Sequence, residues 1–353
     1  MDENNLKQLL ERLAENVNLQ PERDYWMVRT SNGDHYAPFL RRGVVALQLP
    51  YITTDFISGL RNNNADNVAL QTIQSHMRSI VENPQHPLRG VAGELLESPI
   101  VVGTRAKQLF SFCFKMKAGD MVLIPDEGAS YISIGIISDD YPVLEDDITQ
   151  LYPVVRKVRW VNQIPKNRLE PGLYRALGAH QALANISKYS EYLERNYGSC
   201  FMIGDACHYV LTINSEQVSA DQFFGMGDTL MKTLKKLSEQ YDLGVSTEDI
   251  HLSMNLNSPG KVDFIANKTI AFLIMALLTA CSNGNINFND MQQMPQEEFS
   301  NLVELVKQPI QQEGAIKVLT DSLVDYLNGT EAQAVEQYNQ NTMNALHEGE
   351  QQN

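Results

Sequence analysis

RAKQLFSFCFKMKAGDMVLIPDEGASYISIGIISDDY, residues 105–141, is the stretch around which the rest of the chain is organised. On its N-terminal side Leu109, Phe110, Phe112 and Met116 recur at helical intervals, whereas 121–124 and 131–137 are apolar, β-branched runs with the character of strands. Gly119, within Lys117-Ala-Gly-Asp120, suits the end of a helix because it accepts a left-handed backbone at no steric cost. Pro125-Asp126-Glu127-Gly128 carries the turn chemistry of a hairpin between the two strands. The block therefore reads as a closed β element with a helix laid against it.

The chain has 353 residues, 43% of them hydrophobic, enough for two ordinary cores and tails. Its net charge of −15 is unevenly placed. Residues 1–190 carry 20 Lys and Arg against 21 Asp and Glu, while 191–353 carry 8 against 22. A polyanion would be tolerated by the first half and repelled by the second. The start, Met1-Asp-Glu-Asn-Asn, lacks the basic and then apolar segments of a secretory leader, so a cytoplasmic location is expected. Cys113, Cys200, Cys207 and Cys281 are scattered and read as reduced thiols. Cys200, Cys207 and His208 lack the second ligand pair that would close a zinc set, and neither metal nor cofactor is expected.

Outward from the opening block, Leu6, Leu9, Leu10 and Leu13 predict a short amphipathic helix over 4–16 that packs on the body or on a partner. Residues 25–29 and 43–49 read as strands separated by a turn and a short helical segment at 36–42. Residues 53–82 are helical in pattern, broken by a polar insert at 61–66. After an acidic linker at 146–152, 154–161 reads as a strand that interleaves Arg156, Lys157 and Arg159 with apolar residues. The spacing then predicts one helix over 169–183, carrying Arg175, His180 and Gln181, and a terminal strand at Ile186.

Five blocks of this half carry a resemblance: Trp26-Met-Val-Arg29 with Gly33 and Tyr36; Gly43-Val-Val-Ala46; Phe110 and Phe112 with Met116-Lys-Ala-Gly-Asp120 and Val122-Leu-Ile-Pro125; Ile134-Gly-Ile-Ile137 with Asp140-Tyr141; and Val155-Arg-Lys-Val158 with Trp160. In order and spacing they are similar to N-terminal modules of Mrr-like prokaryotic restriction and anti-phage proteins, relatives of EVE and other PUA-like domains. The resemblance covers residues 21–190. It implies a small bent β-barrel with flanking helices and a pocket for an extruded or modified base. Such a pocket needs a flat surface for stacking and hydrogen-bonding groups for the base edge. Trp26, Tyr36, Phe110 and Phe112 are the candidates for the first role, Arg29 and Gln108 for the second, and Arg105, Lys107, Arg156 and Arg159 for contacts to phosphate.

The chain departs from those proteins in its second half, where no Glu/Gln-x-Lys nuclease triple, P-loop, nucleophile elbow or HExxH occurs. Residues 207–213, 250–256 and 261–266 read as strands around a long helix over 219–241, opened by a capping box of Ser219 and Gln222. The apolar run 269–282 is too short to span a bilayer unaided and reads as a buried or interface helix. Residues 296–327 read as one or two amphipathic helices broken near Pro309 and Gly314, before a Gln- and Asn-rich tail expected to be disordered.

The expected fold class is α+β: a helix over 1–20, a PUA/EVE-like barrel domain over 21–190, a smaller α/β domain over 191–285, a helical region over 286–328 and a tail over 329–353. The expected function is a non-enzymatic nucleic-acid or modified-base sensing subunit of a prokaryotic anti-phage or restriction system. Its N-terminal domain would take a nucleic acid or nucleotide, and 191–328 would form a homo-oligomer or recruit an effector protein. The alternatives are a membrane-acting toxic effector triggered through the N-terminal domain, and a nuclease with an unrecognised site.

Overall fold

A computed structural model describes residues 4–61, 66–92, 96, 98–144, 154–197, 200–213, 220–255, 260–281 and 295–311. They divide into two compact units, one spanning 23–192, the other joining the first 22 residues to those from 193 onward. In chain order the first elements are α1 (Asn4–Asn16), β1 (Tyr25–Val28), α2 (Tyr36–Arg42), β2 (Val44–Ala46), α3 (Thr54–Arg61), α4 (Asp66–Glu82) and α5 (Arg89–Ala92). Next come α6 (Pro99–Phe110), β3 (Met121–Pro125), β4 (Tyr131–Ile137), β5 (Val143–Leu144), β6 (Val154–Pro165), α7 (Tyr174–Leu177) and β7 (Leu183–Asn185).

The unit over 23–192 is a mixed sheet of strand order β2-β6-β4-β3-β1-β7, with β5 also paired to β6. All neighbours are antiparallel except β1 and β3. The long strand β6 curls the sheet, because residues 155–157 pair with β2 while 158–165 pair with β4. A register shift at Ile134/Gly135 leaves Val161 as an extra residue, a bulge that bends the strand. Gly135 makes the bend possible: a Cβ there would lie 2.2 Å from Val158 Cγ1 and 2.7 Å from Trp160 Cε3. Among the described residues no ladder joins the edge strands β2 and β7, so the sheet is open along one seam.

Helix α6 starts where Ser98 Oγ accepts the Val101 N–H and Pro99 occupies the first turn. It buries Val102, Ala106, Leu109 and Phe110 against a core shared with Val28, Val45, Val122, Ile124 and Val155 of the sheet and Ile73 and Met77 of α4. Its end widens into a π-helical turn, Ser111–Lys115, closed by the Met116 N–H on the Ser111 carbonyl at 2.9 Å. Gly119 sits beyond the helix in the turn to β3, with φ of 91° and its N–H on the Ile137 carbonyl.

The single helix expected over 169–183 is not formed. Short 3-10 turns at Lys166–Arg168 and Pro171–Leu173 lead into the four-residue α7. Pro171 and Gly172 interrupt the pattern, and at Gly172 a Cβ would meet the Tyr192 ring at 2.5 Å, so packing rather than helical periodicity sets the path.

The other unit contains α8 (Ser190–Tyr197) from Leu193 onward, β8 (Cys200–Ile203), β9 (Ala206–Ile213), α9 (Ala220–Tyr241), β10 (His251–Asn255), β11 (Gly260–Ala266), α10 (Lys268–Cys281) and α11 (Gln296–Gln311). Its antiparallel sheet has the order β10-β11-β9-β8. Alternate residues Cys207, Tyr209 and Leu211 of β9 and Val262, Phe264 and Ala266 of β11 enter one core with α1, α9, α10 and α11. Helix α10 is buried along its length from Ile270 to Cys281, as its lack of a polar face requires. Helix α1, read from the sequence as a separate helix over 1–20 that packs on the body or on a partner, belongs to this core: Leu6, Leu9, Leu10 and Leu13 pack with α10 and α11. Lys268 Nζ donates to the carbonyls of Ala14 (3.1 Å) and Val17 (2.8 Å), neutralising the C-terminal end of α1.

No helix among the described residues is long and apolar enough to cross a membrane. The acidic linker, the Ser219 capping box, the second C-terminal helix and the tail lie outside the described residues.

Candidate functional site

Helical geometry puts Ile100, Val101, Thr104, Arg105 and Gln108 along one side of α6. That side faces the seam of the sheet. Ala46, Leu47 and Gln48 at the end of β2 stand on one flank, Arg29 and Ser31 after β1 and His180 to Ala182 before β7 on the other. They enclose a cleft of about 400 Å³. The edge strands that leave the ladder open thus form the walls of the cleft, and α6 forms its third side.

The charge of the lining is one-sided. Among the described residues two guanidinium groups and an imidazole line the cleft and no carboxylate does, in a chain whose net charge is −15. Arg29 is held by the loop before β7: Nε donates to the Ala179 carbonyl at 2.9 Å, and Nη2 to Ala179 at 2.6 Å and to the Leu177 carbonyl. Its Nη1 has no acceptor among the described residues. Arg105 makes no hydrogen bond or ion pair among them either. Beneath it, the fully buried Tyr51 has a hydroxyl without a partner among the described residues. Burial pushes the Tyr51 pKa up to about 12, against the opposing pull of the Arg105 charge. Gln108 is only 7% exposed, and its side-chain amide has no hydrogen bond among the described residues. The amide is not among the fully buried side-chain groups without a partner, so it still reaches solvent through the cleft, and a ligand edge there would take the place of water.

The structure brings together three of the ten residues proposed from the sequence: Arg29, Arg105 and Gln108. The other seven stand elsewhere. Trp26 is 3% exposed and donates its indole N–H to Asp120 Oδ2 at 2.9 Å. The same carboxylate accepts the backbone N–H groups of Asp24 and Lys117, so Trp26 is a core residue that ties β1 to the turn before β3. Phe112 is fully buried; Phe110 is 6% exposed and stacks on Phe114 with centroids 5.4 Å apart. In this conformation none of these three rings offers a face to a base.

Tyr36 bonds to Ser133 Oγ and receives the Gln163 amide, each at 2.6 Å, on the sheet away from the cleft. Arg156 is fully buried. It donates to Asp139 Oδ1 at 2.6 Å, to the carbonyls of Phe112 (3.0 Å) and Met116 (2.7 Å), and to the Asp139 carbonyl, a tie between β6, the π turn and the end of β4 in place of a phosphate contact. Lys107 and Arg159 are exposed but outside the cleft lining.

Thr104, Gln48 and Ser31 join the site only through the fold. The signal for Thr104 was present, since Thr104, Arg105 and Gln108 stand at i, i+1 and i+4 on one side of a helix whose other charged residue, Lys107, faces away from it. Gln48 and Ser31 sit in turns with no periodic pattern.

The second unit buries its own polar cluster. Asp263 Oδ2 is 2.9 Å from His208 Nδ1 and accepts Arg195 Nε at 2.8 Å, while Phe201 stacks on the His208 ring at 4.8 Å. Asp263 Oδ1 is buried without a partner among the described residues. Nearby, the Cys200 and Cys207 sulfurs are 3.8 Å apart as free thiols, and the Cys207 contact with burial raises the Cys200 pKa well above its ordinary value. Among the described residues no three His, Cys, Asp or Glu side chains are grouped to hold a metal.

A family model described as a domain of unknown function (DUF8426) matches residues 94–175, which run from ahead of α6 into α7 and include Arg105, Gln108 and strands β3 to β6. No curated protein matches the chain, and no solved structure does.

Proposed function

We propose that the unit over 23–192 senses nucleic acid, or a base or nucleotide from it, in the cleft between α6 and the open seam of the sheet. On this reading the protein is a non-enzymatic recognition subunit of a prokaryotic anti-phage or restriction system, and the seam is the ligand entrance of a bent, PUA/EVE-like barrel. One observation carries the proposal: the cleft presents Arg29 and Arg105 with no carboxylate in its lining among the described residues, beside the side-chain amide of Gln108. Guanidinium groups suit phosphate, and a buried amide suits the edge of a base. The acidic balance of 191–353 supports a division of labour in which only the first unit meets a polyanion.

The burial of α10 on all sides weighs against the membrane-acting alternative. Its 14 residues span about 21 Å against a hydrocarbon core of about 30 Å.

The test is fluorescence anisotropy with labelled single-stranded DNA and RNA across a salt series. Binding should weaken linearly in log–log form, and Arg105→Ala should reduce the slope by about 0.7 for each phosphate it leaves unneutralised. Gln108→Leu, of nearly the same shape, should weaken binding about tenfold without changing the slope, since it removes a base contact and no charge. Absence of binding at low salt would end this reading.

A further inference from the structure

Arg29 stands in the wall between two clefts. On its far side a second one, of about 510 Å³, is bounded by Thr30 and Asn32, by Pro125, Asp126, Gly128 and Ala129, and by Lys166 and Tyr174. Resting on the reading of the first cleft, we propose that this second cleft holds the nucleotide adjoining the one at Gln108, so that the ligand is a single strand of at least two nucleotides, its linking phosphodiester lying over Arg29.

Three observations carry it. The first is that the guanidinium of Arg29 is fixed by the Ala179 and Leu177 carbonyls and lines both clefts, with Nη1 still without an acceptor among the described residues. A planar donor held in that position can meet a phosphate shared by two neighbouring sugars. The second is the chemistry of the cleft floor. Tyr174 is 42% exposed, and its hydroxyl is tied to the Lys166 carbonyl at 2.9 Å, which leaves a flat ring for a base to stack on. The Lys166 ammonium has no ion pair among the described residues. The one carboxylate in the lining among the described residues, Asp126, is engaged by the Tyr131 N–H at 2.9 Å through Oδ1.

The third is backbone strain gathered at the rim. Of the four non-glycine residues with positive φ among the described residues, three border these clefts: Ser31 at 51°, Asn32 at 60° and Ala129 at 55°. The two loops that carry them are clamped together. Thr30 Oγ1 donates to the Pro125 carbonyl at 2.6 Å, and Gly33 lies so close to the other loop that a Cβ would fall 2.6 Å from the Glu127 nitrogen. Strain of this kind persists where the surroundings enforce it, and it gathers at ligand-binding sites.

The experiment compares nucleoside 5′-monophosphates with single-stranded oligonucleotides of increasing length, as DNA and as RNA, on the full chain and on Tyr174→Ala, Lys166→Ala and Arg105→Ala. Both residues of the second cleft are exposed, so their variants fold, and unchanged urea midpoints check that. Expected is a gain in affinity from mononucleotide to dinucleotide in the wild type. Tyr174→Ala should reduce oligonucleotide affinity about tenfold and leave mononucleotide affinity unchanged, while Lys166→Ala lowers the salt slope by about 0.7. Arg105→Ala should weaken both ligand classes. Equal affinity for mononucleotide and oligonucleotide, or oligonucleotide binding indifferent to both second-cleft variants, overturns the two-nucleotide site while an Arg105 effect leaves the first cleft standing. Failure of every probe to bind the wild type overturns both.

Discussion

Replacing Arg156 by alanine separates a structural role from a phosphate contact. The side chain is fully buried and makes one ion pair, with Asp139, and three hydrogen bonds to carbonyl oxygens. Its removal leaves the Asp139 carboxylate with only the Lys157 N–H, at 2.8 Å, among the described residues, and takes a donor from the carbonyls of Phe112 and Met116 at the π turn. Removing one member of a buried pair costs about 3–5 kcal/mol, a large share of the roughly 5–15 kcal/mol that holds a domain together. Both tryptophans of the chain, Trp26 and Trp160, lie within 23–192, so their fluorescence during urea unfolding reports on this unit. With a urea slope of about 2 kcal/mol per M, a loss of about 4 kcal/mol lowers the midpoint by about 2 M. Arg156→Lys should fall between, because an ammonium keeps the charge but cannot reproduce the fork of donors. Exposed Arg159→Ala should stay within about 0.5 kcal/mol of wild type. An Arg156→Ala protein that unfolds at the wild-type midpoint yet loses nucleic-acid affinity would refute this account and restore the surface role suggested by the alternating sequence.

Three further outcomes are expected. Asp263→Ala removes the buried carboxylate shared by His208 and the partly buried Arg195 and should destabilise the second unit by about 3–5 kcal/mol, read by circular dichroism on thermal unfolding; a shift under about 1 kcal/mol would show that the pair is dispensable. Burial pushes the thiols of Cys113 and Cys281 up to about 12, so iodoacetamide at pH about 8, close to the usual thiol pKa, should label them only after denaturation, and rapid labelling of the native protein would contradict the packing of α6 and α10. Burial lowers the pKa of His76, helped by His86 and opposed by its hydrogen bond to the Tyr51 backbone, and burial lowers that of His35 as well, against the pull of Asp34. The unfolded chain therefore takes up these protons first. The stability they give is present above the unfolded value of about 6.5 and is lost as pH falls through it toward the lowered native values. The urea midpoint read by tryptophan should drop on acidification across that range, and His76→Gln should flatten the drop; an unchanged pH profile in that variant would reject the assignment.

Much of the local structure was legible because it follows from periodicity. The alternating and β-branched runs gave β3, β4, β9 and β11 within a residue or two, and the all-round apolar run gave a buried α10 too short to cross a bilayer. Charge partition between the halves was also plain from composition. Arg29, Arg105 and Gln108 were named as binding residues from their type and block, and the fold sets them around one cleft.

What sequence alone could not decide was direction and partnership. The basic residues at 156, 157 and 159 look alike as interleaved cations, yet the strand period puts Arg156 on the core face with Val158 and leaves Lys157 and Arg159 exposed, and only the fold shows which face is the core. An aromatic in a strand reads the same whether it faces a pocket or a core, and only the position of the Asp120 carboxylate shows that the Trp26 indole N–H points inward. Helix α1 carries an apolar face that local pattern reveals, but its partners α10 and α11 lie more than 250 residues away along the chain, a pairing that no local signal encodes. Amino-acid order sets which residues must be buried and which backbone shapes are cheap; the closing of distant elements on one another sets which polar groups meet at a seam, as Arg29, Arg105 and Gln108 do here.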